Sequence, residues 1–299
     1  MRSSLRVSKT LLSRPQVQIR SMATEKQLRE RMVGTQNIEK ITKSMKMVSA
    51  AKLRGDQNRL AAAIPFARWA GDITGEPQEL ENISTADFPQ KNLIIPLTTD
   101  KGLCGGVNSI LSRQTMAMMR SLESEGKDYD MYIVGEKGRA IMNRQFSSKI
   151  VATATDRAAP YNFEMISAIT ELALSGEYDA IHIVYNKFKS AIAYIPSVKS
   201  ITLLLDPASE ALYSYEVEPE NDPDTLRNFY EYTLATQLYH STMDNATSEQ
   251  SSRMNAMENA SKNAAEQIAK LTLQYNRARQ ARITTELIEI ISGAAALEK

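Results

Sequence analysis

The sequence has little of what metal-binding, disulfide-bonded or membrane-spanning proteins need. Its 299 residues include one cysteine, Cys104, and two histidines, His182 and His240. A single cysteine excludes a disulfide within the chain and a cysteine-based zinc cluster, and two histidines argue against a histidine-based metal site. No stretch approaches the roughly 18 consecutive apolar residues of a membrane-spanning helix. We therefore expect no metal site and no cofactor.

Aromatic residues, glycine and proline are also scarce, which is typical of a helix-rich protein with one moderate core. Between Asp224 and Ser292 there are 69 residues without glycine or proline. As one helix, this run would be about 100 Å long, too long for the core of one domain to cover. Its weakest part is Ser241–Asn263, where serine, asparagine and threonine are poor helix formers. A break in the helix there is the alternative.

The first 22 residues have the composition of a mitochondrial transit peptide. They contain Arg2, Arg6, Lys9, Arg14 and Arg20, several serines and no acidic residue. Cleavage ahead of Ala23 would place an arginine three residues before the cut, and the alternative is a disordered basic tail. Loss of these five charges changes the formal net charge from +1 to about −4. We therefore expect no nucleic-acid partner.

The first segment after this leader is predicted to be a helix from about Thr24 to Ala63, ended by Pro65. Apolar residues in it recur at steps of three and four, apart from one gap, and would form one stripe. That stripe consists of Leu28, Met32, Ile38, Ile41, Met45 and Val48.

The middle of the chain, about Lys91 to Leu205, alternates strand-like and helix-like patterns, which favours a largely parallel α/β sheet. The run 191–205 would add one or two strands, including an antiparallel edge. The predicted strands are Asn92–Leu97, Met131–Val134 and Ala180–Val184, and the predicted helices are Ser109–Glu125, Lys137–Gln145 and Phe163–Leu174.

The long C-terminal helix carries its own narrow apolar stripe. We expect it to form a long antiparallel coiled coil with the N-terminal helix, beside a central Rossmann-like α/β domain. Because the two helices differ in length, the C-terminal one would overhang by about 40 Å. The stripe consists of Met257, Ala260, Ala264, Ile268, Leu271, Tyr275 and Ala278, and the overhang would contain Ile283, Leu287, Ile288, Ile290, Ile291 and Leu297.

The turn Asp100–Gly106 follows a strand and precedes a helix, as phosphate-binding loops do. Its lysine comes before the glycines, unlike a Walker loop, so a tight turn is the stronger interpretation and nucleotide binding the alternative. Cys104 could be a nucleophile at a helix start. Without a histidine nearby, a small buried thiol is favoured, and both histidines are interpreted as structural or surface residues.

The predicted helices are also positively charged over part of their length. Residues 24–60 contain nine basic and four acidic residues, and residues 270–282 contain four basic residues and no acidic one. One interpretation of this pattern is an ordinary helix face exposed to solvent. The functional interpretation is a positive track that meets an acidic partner.

Three motifs make a family resemblance close. Ile38–Val48 resembles the N-terminal helix motif of the γ subunits of F-type ATP synthases, and Thr99–Asn108 resembles their central glycine-rich turn. Ile283–Ala296 is similar to their C-terminal signature. The order of the motifs and the leader match the mitochondrial members, and the cysteine-bearing insertion of chloroplast relatives is absent.

The resemblance implies a rotor, the central stalk of a proton-driven ATP synthase. Its coiled coil would turn inside a ring of α and β subunits, and its α/β domain would be a foot on the c-subunit ring, with the δ and ε subunits. It implies one copy per complex, peripheral to the matrix side of the mitochondrial inner membrane. Catalysis belongs to β, so the chain itself would have no catalytic residue and no cofactor.

The resemblance also assigns contact residues. Met45 and Lys46 match the contact with an acidic segment of β, and Arg253, Gln280, Thr284 and Glu286 match positions that hold a β loop. Leu287, Ile288, Ile291 and Leu297 would form a tip in an apolar bearing, and Tyr215 and Glu218 would contact the c ring.

The expected domains are the transit peptide at 1–22, an N-terminal shaft helix at 23–78, the foot at 79–217 and a C-terminal shaft helix at 218–299. Without the resemblance, a coiled-coil scaffold protein with an α/β module would rank first. A small nucleotide-dependent α/β enzyme is the third hypothesis.

Overall fold

The structure, a computed structural model, describes residues 25–202 and 223–297. The proposed transit peptide lies outside the described residues. The chain divides into two compact units, Ile38–Asn263 and the pair Met1–Asn37 with Ala264–Lys299. The two longest helices, α1 at Glu25–Thr74 and α5 at Pro223–Leu297, each contribute to both units.

The larger unit contains a six-stranded sheet in the order β1-β6-β5-β2-β3-β4. Strands β5, β2, β3 and β4 are parallel, β6 is antiparallel to β5, and the short β1 is antiparallel to β6. The strands are β1 at Gln78–Glu79, β2 at Lys91–Pro96, β3 at Asp128–Val134, β4 at Ile150–Ala154, β5 at Ala180–Ser190 and β6 at Ala193–Thr202.

Helices cover both faces of this sheet. Helices α2 (Val107–Ser124) and α3 (Glu136–Phe146) bury the side chains of one face, and α4 (Phe163–Leu174) together with α5 buries those of the other. The α/β prediction is therefore confirmed, including the antiparallel β6. Strand β4 was missed because its residues alternate between half-buried and exposed and include no long apolar run.

Helix α1 does not end before Pro65 but continues to Thr74. Proline removes one helical hydrogen bond and costs about 3 kcal/mol in a helix interior. Here Pro65 is exposed, so the carbonyl left without a partner can face water. The helix is held beyond it by tertiary contacts: Ala67 and Ala70 are buried, and Gln237 of α5 donates a 2.9 Å hydrogen bond to the Ala67 carbonyl.

The predicted apolar stripe of α1 is wrong in its middle. Leu28 is buried and Met32 and Met45 are half-buried, but Ile38, Ile41 and Val48 are exposed. The side chains turned inward instead follow a seven-residue repeat in which several members are polar. Two positions of each repeat face inward. The first is occupied by Leu28, Thr35, Thr42, Ser49, Asp56, Ala63 and Ala70, and the second by Met32, Glu39, Lys46, Leu53, Leu60 and Ala67.

Helix α5 is continuous through residues 241–263, so the alternative of a break there is wrong. Its polar side chains are buried and bind backbone groups of neighbouring elements. The Asn245 side-chain oxygen accepts a 3.3 Å hydrogen bond from the backbone N–H of Asn186 in β5 and a 2.9 Å bond from the Asn186 side-chain amide, and Ser248 donates a 2.9 Å bond to the Asn186 backbone carbonyl. Tertiary hydrogen bonds therefore compensate for weak helix propensity.

In the smaller unit, the described parts of α1 and α5 lie antiparallel. Glu25 pairs with Arg282 at 2.7 Å, and Thr272 lies opposite Met32. The stripe from Met257 to Ala278 is buried or half-buried, as predicted. Beyond Arg282, α5 continues for 15 residues, or about 22 Å. The predicted overhang residues are exposed, but the expected length of about 40 Å was too great because α1 is longer than predicted.

Candidate partner-binding surfaces

An exposed apolar surface lies on α1 in the larger unit. It consists of Ile38, Ile41, Met45 and Val48, hereafter the α1 apolar surface. Ile38, Ile41 and Val48 are 55%, 59% and 57% exposed, and the spacing of the four residues places them on one side of the helix. Large apolar side chains grouped in this way on a surface are typical of a protein interface.

This surface is bordered by positive charge. Lys52 follows Val48 by one helical turn on the same side and forms no ion pair within the described part of the chain. Lys46 lies on the other border, where its Nζ is 3.1 Å from Glu258 of α5. Hydrogen bonds from Lys262 and from Lys46 lower the pKa of the Glu258 carboxyl. The border is therefore partly neutralised at Lys46 and positive at Lys52.

Arg253 is buried, and its guanidinium is directed into the larger unit. Its Nη2 lies 2.5 Å from Glu249 and 3.3 Å from the Gly102 carbonyl, and its Nη1 donates a 3.0 Å bond to Gln250. Burial raises the pKa of Glu249 even though Arg253 opposes the shift. The contact of Arg253 with β stays a prediction, since these groups already occupy its donors.

The remaining predicted contact residues on α5 are exposed. Gln280, Thr284 and Glu286 face solvent, and Glu286 forms a 2.8 Å ion pair with Arg282. The proposed bearing residues Leu287, Ile288, Ile291 and Leu297 are 53%, 58%, 66% and 90% exposed. Tyr215 and Glu218 lie outside the described residues.

The glycine-rich turn is filled by its own side chains. Asn108 accepts a 3.0 Å bond from the Thr99 backbone and donates a 2.7 Å bond to the Thr99 hydroxyl. Leu103 and Gly105 adopt φ values of 63° and 62°, which form the tight reversal. This geometry supports the tight-turn interpretation, because Asn108 holds the turn from within and two backbone carbonyls of the turn accept hydrogen bonds from side chains of α5.

The cysteine and the first histidine are structural. Cys104 is buried, and burial raises the pKa of its thiol, which disfavours the nucleophilic thiolate. His182 contacts Ser200 at 2.8 Å and Asn92 at 2.9 Å, and it stacks on Phe88. Burial lowers the pKa of His182 to about 3, so the ring is neutral in the folded protein.

Within residues 25–202 and 223–297, no three histidine, cysteine, aspartate or glutamate side chains are grouped to hold a metal ion. The helices described there include none long and apolar enough to cross a membrane. The functional candidates in this part of the chain are exposed helical surfaces. They define a class of protein that works by contact with partner proteins.

Comparison with known proteins identifies the family. The family model described as ATP synthase matches residues 24–297. The mitochondrial ATP synthase subunit gamma of Arabidopsis thaliana is 39% identical over 295 residues, covering 94% of this chain and 87% of the relative. The mitochondrial F(1) complex subunit gamma of Rattus norvegicus is 42% identical over 280 residues, covering 92% and 100%. The chain belongs to the ATP synthase γ-subunit family.

Solved structures have the same fold. A chain of the central stalk and c ring of the Tetrahymena thermophila mitochondrial ATP synthase is 30% identical, with a TM-score of 0.58 over 74% of this chain and 99% of that chain. A chain of the Euglena gracilis mitochondrial enzyme has a TM-score of 0.75 at 22% identity, over 91% and 94%. The family resemblance of the sequence motifs is thereby confirmed.

Proposed function

We propose that this chain is the rotor subunit, or central stalk, of a mitochondrial ATP synthase. It couples rotation of a c-subunit ring to conformational change at catalytic sites on β subunits. The observation that carries this proposal is the match to γ subunits over residues 24–297, which includes the exposed end of α5. The partners are the α, β, δ and ε subunits and the c ring, and the site of action is the matrix side of the inner membrane.

The chain contributes no catalytic residue to this reaction. Two observations support a mechanical role: its cysteine is a buried thiol of raised pKa, and its glycine-rich turn is occupied by its own side chains. Exposed aliphatic residues at the end of α5 suit a bearing, because apolar contacts are not directional. Directional hydrogen bonds there would have to break as each bearing subunit replaced the last.

The proposal is tested by purification from solubilised mitochondria. A tag on this chain should recover the α and β subunits and the c ring in one complex, with one copy of the tagged chain. The isolated chain should show no ATP hydrolysis above background. Recovery of the chain without the α and β subunits would refute the proposal.

Met45 of the α1 apolar surface and Lys46 on its border are the proposed contact with an acidic segment of β. Replacing Met45 with lysine adds a positive charge there and is expected to weaken coupling, because a stronger attraction to the acidic segment must be broken at each step. ATP synthesis per proton translocated, measured in membrane vesicles, should fall while ATP hydrolysis continues.

Met47→Lys is the matched control for this prediction. Met47 is 64% exposed and lies two residues away, about 200° around the same helix. The same charge added at Met47 should leave coupling close to wild type. Equal coupling in the Met45 and Met47 variants would remove the support for this contact surface.

A further inference from the structure

The polar segment of α5 binds two separate parts of the α/β domain through its serines. Ser248 donates to the Asn186 carbonyl at 2.9 Å, and Ser251 donates to the Ala191 carbonyl at 2.7 Å. Both acceptors belong to β5 and the turn that follows it. Ser252 donates instead to the carbonyl of Cys104 in the glycine-rich turn, at 2.6 Å.

The positions of these serines on the helix decide what the bonds resist. Ser251 and Ser252 are consecutive and therefore project about 100° apart around α5. Rotation of the helix about its own axis would move both hydroxyls away from acceptors on different segments. Apolar packing resists such rotation less specifically, because it has no preferred direction.

Close approach supports the same interpretation. Gly105 has no side chain where it meets α5, and a Cβ at that position would lie 3.1 Å from the Ser252 hydroxyl and 3.8 Å from the Ala256 Cβ. The small side chains of Ser248, Ser251 and Ser252 are themselves buried. The backbone of the turn and the helix therefore lie close together, and the hydrogen bonds between them are shielded from water.

We infer that Ser248, Ser251 and Ser252 are positioning residues that lock α5 to the α/β domain against twist, so that torque applied to the domain reaches the helix. This inference rests on the proposed function. It explains why a segment of low helix propensity lies inside the long helix. The hydroxyls that weaken the isolated helix are the groups that bind it to the domain.

The test uses the assembled ATP synthase in inverted inner-membrane vesicles. The variant carries Ser248→Ala, Ser251→Ala and Ser252→Ala together. One net hydrogen bond changes an equilibrium about fivefold, so loss of three should raise the population of the slipped helix on the order of a hundredfold. The measured quantity is protons pumped per ATP hydrolysed, first with the membrane potential collapsed and then with it rising.

The matched control is Thr247→Val. Thr247 is equally buried on the same helix, but its hydroxyl donates to the Met243 carbonyl within α5 at 2.8 Å. We expect the serine variant to pump normally without load and to lose pumping as the potential rises, and the control to follow wild type throughout. Ser251→Thr, which keeps the hydroxyl, should also follow wild type.

Two results would overturn the inference. One is an unchanged ratio in the serine variant at every potential, and the other is an equal loss in Thr247→Val, which would indicate general weakening of the core. If the triple variant does not assemble, Ser251→Ala and Ser252→Ala are measured singly by the same ratio. Failure of the proposed function would look different from failure of this inference. In that case the ATP synthase of wild-type vesicles would lack this chain and still make ATP.

Discussion

Alanine at Gly135 is expected to prevent this chain from folding. Gly135 joins β3 to α3 with a φ of 111°, and an added Cβ would lie 2.5 Å from the backbone oxygen of Thr98. The amide of Gly135 also donates a 2.8 Å bond to the Ala154 carbonyl, so the turn cannot shift without breaking the sheet edge. Because the clash is with backbone, we expect a loss above about 4 kcal/mol in the free energy of unfolding.

The measurement is urea unfolding of the full chain, together with its soluble yield. Gly34→Ala is the control, since a Cβ at Gly34 meets nothing within 4 Å and the residue lies in the exposed face of α1. That change should stabilise the protein by about 0.5–1 kcal/mol, because alanine loses less conformational entropy than glycine in a helix. A Gly135→Ala protein that unfolds at the wild-type urea concentration would contradict the predicted clash.

Asparagine at Asp244 is expected to stabilise the protein above neutral pH. Asp244 lies on α5 and accepts a 3.3 Å hydrogen bond from the backbone of Phe188. Burial raises the pKa of its carboxyl to about 7, while the Phe188 hydrogen bond and Lys187 oppose the shift. The folded protein therefore binds a proton that the unfolded chain releases near pH 4, and wild-type stability falls as pH rises from about 4 to about 7.

Asparagine can accept the same hydrogen bond without carrying a charge. The variant should equal wild type near pH 4 and exceed it at pH 8 by up to about 4 kcal/mol in the free energy of unfolding. The difference between the two pH profiles is the decisive quantity. Stability due to His182, whose pKa is lowered, is lost as pH falls below about 6.5 in both proteins and cancels in that difference.

Asp72→Asn is the control for this prediction. Asp72 is an exposed residue of α1, so its replacement removes one carboxylate from the helix without changing a buried group. Urea unfolding at several pH values measures all three proteins. A constant difference between wild type and the Asp244 variant from pH 4 to pH 8 would show that burial does not raise this pKa.

The two stripes of apolar residues show where sequence spacing was sufficient. From Met257 to Ala278 on α5, the contact positions are mostly apolar, so spacing alone identified the buried face. On α1, Thr42 and Ser49 occupy contact positions of the same seven-residue repeat. Apolar residues alone therefore pointed to Ile41 and its neighbours, which are exposed. The seven-residue spacing that includes Thr42 and Ser49 was the signal in the sequence that marked the buried face of α1.

The serines of α5 were missed for a related reason. Their residue types predicted a weak helix, since helix propensity measures a residue without tertiary partners. The acceptors of Ser248, Ser251 and Ser252 lie 62, 60 and 148 residues away in the chain. A long run of serine, threonine and asparagine without glycine or proline was the available signal that the segment is a buried helix.

The sequence by itself determined the features that depend on local order: strands β2, β3 and β5 and the helices of the α/β domain, the breaker-free run of α5, and three motifs that identify the family. Only the tertiary structure decided that α1 continues through Pro65, which face of α1 is buried, and that Arg253 points into its own domain. Distant segments supply the groups involved, such as the Gln237 side-chain amide for α1 and the Gly102 carbonyl for Arg253. Spacing and propensity along one helix carry no information about such partners.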